Sequence, residues 1–390
     1  MSDRILFVIG SLNYGGAERH LVQVLPQLAK RGYAVEVFAL SEPGAQARLL
    51  EEQGIRVYAP ALAPGPANAP YRMLRLIVAS WSLSIHLVTT RPNTVHFFLP
   101  QAYLLGGLCS LLTGSPRKVM SRRSRNFYQR KHPSMARVER WLHGKMDALI
   151  GNSLPVVADL KTEGAPLERL GLIRNGIDLA PFSEVQDRAA VRVELGIGED
   201  ELVFIKVANL IPYKGHEDLL RALAIADLPE RWRLIVVGRD DGILGALRAC
   251  AESHGLADRV IWAGPRTDVP SLLKAADVGV LASHEEGFSN AVLEYMAARL
   301  PAVVTDVGGN AEAVSDGLTG FVVPAHDERS LAHALERLGE ARDRQLMGVA
   351  ARERVEQLFS LDACIDAYET LYQSVRDGRG LSKSLRPEIF

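Results

Sequence analysis

Short, almost uninterrupted apolar runs alternate with longer amphipathic stretches along this chain, and the alternation runs through twice. The first series reads "RILFVIG" (4–10), "AVEVFAL" (34–40), "RVYAP" (56–60), "TVHFFL" (94–99), "KVMS" (118–121) and "ALIGNS" (148–153). Helical periodicity covers 17–31, 71–90, 101–113 and 135–146 between them. A strand apolar on both sides must be covered on both faces, so the pattern predicts a parallel sheet enclosed by helices. The second series is "LVFIKVANL" (202–210), "RLIVVG" (233–238), "RVIWAG" (259–264), "VGVLAS" (278–283), "PAVVTD" (301–306) and "GFVVP" (320–324). Its helices are expected at 215–227, 242–254, 268–276, 289–299 and 327–339.

The fold class is therefore α/β with two Rossmann-like, doubly wound halves, as the length of 390 residues also suggests. They are read as domains 1–177 and 178–360, joined near "IRNGIDLAPF" (173–182), where Gly176 and Pro181 are turn residues. Helical spacing resumes over 341–357 and 361–376, and the tail 377–390 is expected to fray. Ligands of such sheets bind outside the carboxyl ends of the strands, in a cleft.

Composition narrows the function. An apolar fraction of 47% and a charged fraction of 23% belong to a globular protein, and a net charge of −1 argues against a nucleic-acid partner. Cys109, Cys250 and Cys364 are isolated thiols without metal-ligand spacing, as expected in a reducing compartment. The N-terminus lacks the apolar region of a signal peptide, so a cytoplasmic location is expected. "LRLIVASWSLSIHLVTT" (74–90) carries Arg75 and His86 and reads as a buried or interfacial helix rather than a span.

Three stretches carry chemistry. In "IGSLNYGGAERHLVQVL" (9–25), Gly15 and Gly16 precede a helix, with neither GxGxxG nor Walker spacing. Such a turn either lets backbone amides approach an anion or is merely tight. In "SHEEGFSNAVLEYMA" (283–297), Gly287 and Phe288 read as loop, Ser289 or Asn290 as an N-cap, and the helix runs from near Ala291 to about Arg299. Glu286 then projects from the loop, Glu294 sits about one turn into the helix, and the free amides of Asn290 to Val292 lie between. Carboxylates at either end suit hydroxyls and the amides suit phosphate; the plainer reading is acids placed for the helix dipole, with Glu285 a solvated neighbour. In "VANLIPYKGHEDLL" (207–220), Lys214 stands before Gly215 and a new helix, either a cation for that phosphate or a surface lysine.

Taken with "RNGIDLAPF" (174–182), "VVTDVGGNAEAV" (303–314) and "GLTGFVVPAHD" (317–327), these motifs resemble the large retaining glycosyltransferase family 4, which has the GT-B fold. The resemblance spans nearly the whole chain. It implies a nucleotide-sugar donor, a UDP- or GDP-sugar, on the C-terminal domain, and a glycan or lipid-linked acceptor on the N-terminal one, onto which helix 361–376 crosses back. By analogy, Glu286 holds the sugar hydroxyls, Glu294 the ribose, and Lys214 with the Gly15–Gly16 loop the diphosphate. Gly287, Phe288, Ser289, Asn290 and Ala291 complete that loop, and Arg266 lies where a loop is expected over the base. No bound metal or other cofactor is implied.

Two positions depart from the family's pattern. Asn209 stands where an Arg is usual five residues before the lysine, leaving Arg174 or Arg239 as substitute cations. His96 keeps the first place of a His-x-His pair whose second place is Phe98; it is read as a catalytic candidate or a packed strand-end histidine. The activity implied is same-face sugar transfer in polysaccharide or glycolipid synthesis. A sugar-nucleotide epimerase and a catalytically weak scaffold are the alternatives.

The segment 115–146 is rich in Arg and Lys with Glu139 as its one acid. Met135, Val138, Leu142, Met146 and Leu149 recur at helical steps, so it reads either as a solvated charged face over a core-packed helix or as a phosphate site, for a lipid pyrophosphate acceptor or an anionic membrane, with Arg122 and Arg123 on the acceptor side.

Overall fold

A computed structural model of the protein describes residues 3–13, 15–62, 65, 68–183, 187–378 and 380–387. The chain forms two compact units, one of Met1–Gly176 with Leu361–Phe390 and one of Ile177–Ser360. The division falls one residue before the expected boundary.

Seven parallel strands make the sheet of the first unit: β1 (Arg4–Ile9), β2 (Ala34–Ala39), β3 (Arg56–Tyr58), β4 (Thr94–Phe98), β5 (Lys118–Arg122), β6 (Ala148–Gly151) and β7 (Leu170–Leu172). Their order is β3-β2-β1-β4-β5-β6-β7. β7 is too short to have registered as an apolar run. On one face, Leu21, Val24, Leu25 and Leu28 of helix Gly16–Lys30 pack with Tyr368, Leu371 and Tyr372 of helix Leu361–Asp377. On the other, Leu83 and Leu87 of helix Ala69–Thr90, Ala102 and Tyr103 of helix Pro100–Leu112, and Leu142 of helix Pro133–His143 share one core.

The tail does not fray as expected. Leu381 and Leu385 are buried in the core built on helix Leu361–Asp377, around a short 3-10 turn over Lys383–Leu385. Two leucines bracketing that turn anchor the segment more strongly than its glycines and charges loosen it; residues 388–390 lie outside the described residues.

Six parallel strands make the sheet of the second unit: β8 (Leu202–Val207), β9 (Trp232–Val237), β10 (Val260–Gly264), β11 (Val278–Leu281), β12 (Ala302–Thr305) and β13 (Gly320–Val323). The order β10-β9-β8-β11-β12-β13 reverses direction between β8 and β11, as the first sheet does between β1 and β4. Loops leaving adjacent strands at a reversal diverge to opposite faces and open a crevice. In the second unit these loops carry Lys214 and Glu286.

Leu385→Ala removes a buried side chain from the last turn and is expected to destabilise the protein by about 2–5 kcal/mol. A denaturant or thermal melt checks it; an unchanged midpoint means the tail contributes nothing to the core.

Candidate functional site

The site is built from three loops of the second unit. After β8 the chain turns through Pro212–Lys214 into helix His216–Ile225. Gly215 makes this turn possible, with φ of 61° and a position where a Cβ would stand 1.8 Å from the Ala282 carbonyl oxygen. After β11 a loop leads to helix Asn290–Ala297, whose N-cap is Ser289. The Ser289 side chain makes no capping bond. After β12, Gly308 has φ of 56°, and a Cβ on it would lie 2.2 Å from the Glu286 carbonyl oxygen; Gly309 N–H donates to Gly287 O at 2.7 Å. This diglycine fixes the loop that bears Glu286, a role for "VVTDVGGNAEAV" that the sequence reading did not assign.

Lys214 and Glu286 meet across the reversal. The Lys214 ammonium is 2.6 Å from Glu286 Oε1, and that oxygen also accepts from Ser283 Oγ at 2.8 Å. Thr305 Oγ1 in turn donates to the Ser283 carbonyl at 2.5 Å, so the acid is braced from β12. Gly287, Phe288 and Ser289 are buried, while Asn290 and Ala291 at the helix start are half-buried. Glu294 is 2% exposed within the same helix, and its neighbour Tyr295 accepts from Val207 N–H at 2.8 Å. Glu285 is exposed. Of the expected residues, 214 and 286 are in contact, and 290 to 294 open the helix that follows the Glu286 loop.

The other expected donor residues are tied to neighbours. Asn209 Oδ1 accepts from Arg239 N–H at 3.2 Å and its carbonyl bonds His216 Nε2 at 3.0 Å, so Asn209 joins two loops. The Arg239 guanidinium is itself paired with Asp241 at 2.8 Å, on the surface. Arg266 makes two bonds to Asp268, at 2.7 and 2.6 Å, and reaches Glu194 at 3.4 Å. Beside the site His284 bonds Asp218 at 2.8 Å, and the His326 ring lies over it with centroids 3.8 Å apart. Ligand atoms of Asp218, His284 and His326 fall within 4.8 Å of one another, the described trio most suited to hold an ion; hydrogen bonding already accounts for the Asp218–His284 pair.

In the first unit Gly15 is the N-cap of helix Gly16–Lys30, and the Glu18 carboxylate folds back over it. Arg123 donates to Asn175 Oδ1 at 2.5 Å and is half-buried.

Two expectations here are corrected. His96 is fully buried, with Nδ1 bonded to Tyr372 OH and Nε2 to Ser121 Oγ, both at 2.8 Å. Burial, with the Arg123 charge adding to it, lowers its imidazolium to about 3. A neutral ring with both nitrogens occupied has no free edge for chemistry, so His96 is a packing residue. Arg122 is 2% exposed and grips Glu163 with two bonds, at 2.5 and 2.8 Å, and also Glu139. Burial alone would raise the Glu163 carboxyl, but hydrogen bonds from His143 and Arg122 hold it well below the carboxylate range. Arg122 is thus spent internally and does not present itself to an acceptor. Strand alternation could have revealed it, because Arg122 shares a face with the core residue Met120.

Comparison with known proteins agrees with this architecture. The family described as Glycosyltransferase Family 4 matches residues 14–181, and the one described as Glycosyl transferases group 1 matches residues 187–354. The chain belongs to glycosyltransferase family 4. A D-inositol 3-phosphate glycosyltransferase of Kineococcus radiotolerans is 29% identical, over 97% of this chain and 94% of its own length. An N-acetyl-alpha-D-glucosaminyl L-malate synthase of Bacillus anthracis is 28% identical over 62% of this chain and 64% of its own. Anabaena Alr3699/HepE, solved in complex with UDP-glucose, superposes with a TM-score of 0.83 at 24% identity, over 95% of this chain and 99% of its own. This glycosyltransferase has the GT-B fold, two α/β units each built on a parallel sheet.

Gly308→Ala forces the Glu286 loop of the glycosyltransferase to move and is expected to cost about 1–3 kcal/mol. Gly317→Ala, where φ is 71° but nothing lies within 4 Å, controls for backbone strain alone. Thermal melts compare them; equal losses would remove the bracing role of Gly308.

Proposed function

We propose that the enzyme is a retaining hexosyltransferase taking sugar from a nucleotide-diphosphate donor to a glycan or lipid-linked acceptor in surface polysaccharide or glycolipid synthesis. The observation that carries this is the Lys214–Glu286 pair at the strand-order reversal, beside the N-terminus of helix Asn290–Ala297. A diphosphate offers Lys214 a second anion and the helix amides an acceptor. Glu286, released from the lysine, then accepts from the sugar hydroxyls, and Glu294 serves the ribose. UDP is the favoured nucleotide, since the similar Anabaena protein was solved with UDP-glucose.

In the transfer, the bond from the anomeric carbon to the phosphate oxygen breaks and its electron pair stays on phosphate. The acceptor hydroxyl oxygen bonds that carbon on the same face, and its proton passes to the departing phosphate. Lys214 and the fixed amides stabilise the charge that grows there, an effect for which one lost donor typically costs about 2.7–4 kcal/mol.

A thermal-shift panel of UDP, GDP and ADP with their sugars is expected to single out one nucleotide, and Lys214→Ala to abolish most of that shift. With an α-linked donor the product is expected to be α-linked and Glu286→Gln to lose at least a hundredfold in kcat, about 2.7 kcal/mol. A β-linked product overturns retention. Interconversion of donor without acceptor points to an epimerase, and turnover indifferent to Glu286→Gln to a scaffold.

The acceptor side is read as membrane-facing. Helix Ala69–Thr90 has the length and hydropathy of a membrane span, yet it lies on the first unit's core through Ala79, Leu83 and Leu87. Met73, Ile77, Trp81, Ile85 and Val88 are exposed, Trp81 by 70%. Helix Pro133–His143 adds exposed Trp141 beside Arg137 and Arg140, which line a cavity of about 500 Å³ with Asn126 and Gln129. An apolar face with neighbouring arginines suits the anionic inner leaflet. Vesicles containing phosphatidylglycerol are expected to sediment the enzyme, and Ile77→Glu with Trp81→Glu to release it; equal sedimentation of that double variant sinks the membrane reading.

A further inference from the structure

β8 carries one charged side chain into the interior. Lys206 is 0% exposed, and its ammonium nitrogen has no hydrogen-bond partner among the described residues. It shares the strand face of Leu202 and Phe204, which lie in the apolar core, and its register partner on β9 is Val236. A leucine or methionine would serve packing there without the desolvation cost that an unpaired ammonium brings. Lys206 is the next-to-last residue of β8, whose following loop carries Lys214, and the charges it senses are Lys214 from that loop, Glu286 from the loop after β11, and Asp218 from helix His216–Ile225. His216, on the same helix, also senses it, and burial lowers that ring to about 3, so it stays neutral and supplies no charge.

We infer that Lys206 is a proton-linked cation of the donor site, which above neutral pH takes up a proton when a diphosphate occupies that site. The inference rests on the donor reading above. Direct contact is unnecessary, because in a desolvated site charges act strongly over several ångströms. Burial, with the Lys214 charge, brings the Lys206 ammonium down to about 7, against the opposing pull of Glu286 and Asp218. A bound diphosphate neutralises Lys214 and adds negative charge, so both changes raise it. A base whose affinity for protons rises on binding takes up a proton, and binding weakens as pH climbs between the empty and occupied values. Below about 7 the empty site is already charged and the dependence fades.

A nucleotide sugar is the right probe, since its diphosphate is esterified at both ends and has no ionisation near neutral pH. Calorimetric titration with UDP-glucose, or with whichever of UDP-glucose, GDP-mannose and ADP-glucose gives the largest thermal shift, is run in buffers of differing ionisation enthalpy. At pH 8.5 close to one proton should be taken up per donor bound, falling towards zero at pH 6, with Kd rising up to about tenfold per pH unit above 7. Lys206→Met should bind with little proton uptake and a flat Kd over this range; its own thermal melt confirms folding. Lys206→Arg, charged at every pH, should likewise lose the uptake while keeping donor affinity at pH 8.5. Donor binding by the wild type without proton uptake, or undiminished uptake in folded Lys206→Met, overturns the inference alone. Absence of binding by every nucleotide sugar overturns the donor reading, and the inference with it.

Discussion

Pairing of β8 with β11 is the contact from which the Lys214 and Glu286 loops hang. β8 has β9, the next strand in sequence, on one side, and a strand from much later in the chain on the other. The loops after these two central strands leave in different directions, and Lys214 and Glu286 come within hydrogen-bond reach only because the register is fixed. A slip of one residue moves a strand by about 3.3 Å, more than that bond tolerates. Tyr295 guards the register: its hydroxyl accepts from Val207 N–H and donates to the Val280 carbonyl at 3.3 Å, so one side chain clasps both strands. Its ring occupies the space above Gly279, where a Cβ would stand 2.3 Å from it. The glycine, the tyrosine and the two loops form one mechanical unit.

The first unit solves a different problem, that of holding charge inside. Arg122, Glu139, Glu163 and His143 form a buried network to which Tyr128 and Gln129 add hydrogen bonds, Tyr128 OH to Glu139 at 2.6 Å. Each ion there has an opposite charge and further partners, the condition under which buried charge is tolerated. The basic segment is therefore two things at once: a buried knot that sets helix Pro133–His143 against β5, and an exposed row, Arg137 and Arg140, on its outer side. The packed inner side was expected, and Leu142 and Met146 lie in the core, but neither reading put charge there.

Sheet class, the twofold repeat and nearly every strand were legible because apolar runs report burial on both faces directly. Glu286, Lys214 and the helix after them were legible because loop and capping residues mark where a strand hands over to a helix. What stayed hidden depended on contacts distant in sequence. Nothing local distinguishes Arg122 from Arg123, since only the fold brings Glu163 to one and Asn175 to the other. His96 is decided by Tyr372, far along the chain. The tail looked loose because its two anchoring leucines are few, and their value depends on a core the segment itself does not reveal. Lys206 was passed over inside "LVFIKVANL", where a single lysine in an apolar strand was the visible anomaly.

The first unit is completed by residues from Leu361 onward. Tyr368, Tyr372, Leu381 and Leu385 belong to the same core as Phe7, Ile9 and Leu25, whereas Ile177–Ser360 is continuous. During synthesis Ile177–Ser360 brings everything needed for its own sheet, while the strands that precede it must wait for the residues from Leu361 onward to leave the ribosome. The order of maturation is thus inverted relative to the order of translation, and a chain stopped before Leu361 has a complete second unit and an open, aggregation-prone first one.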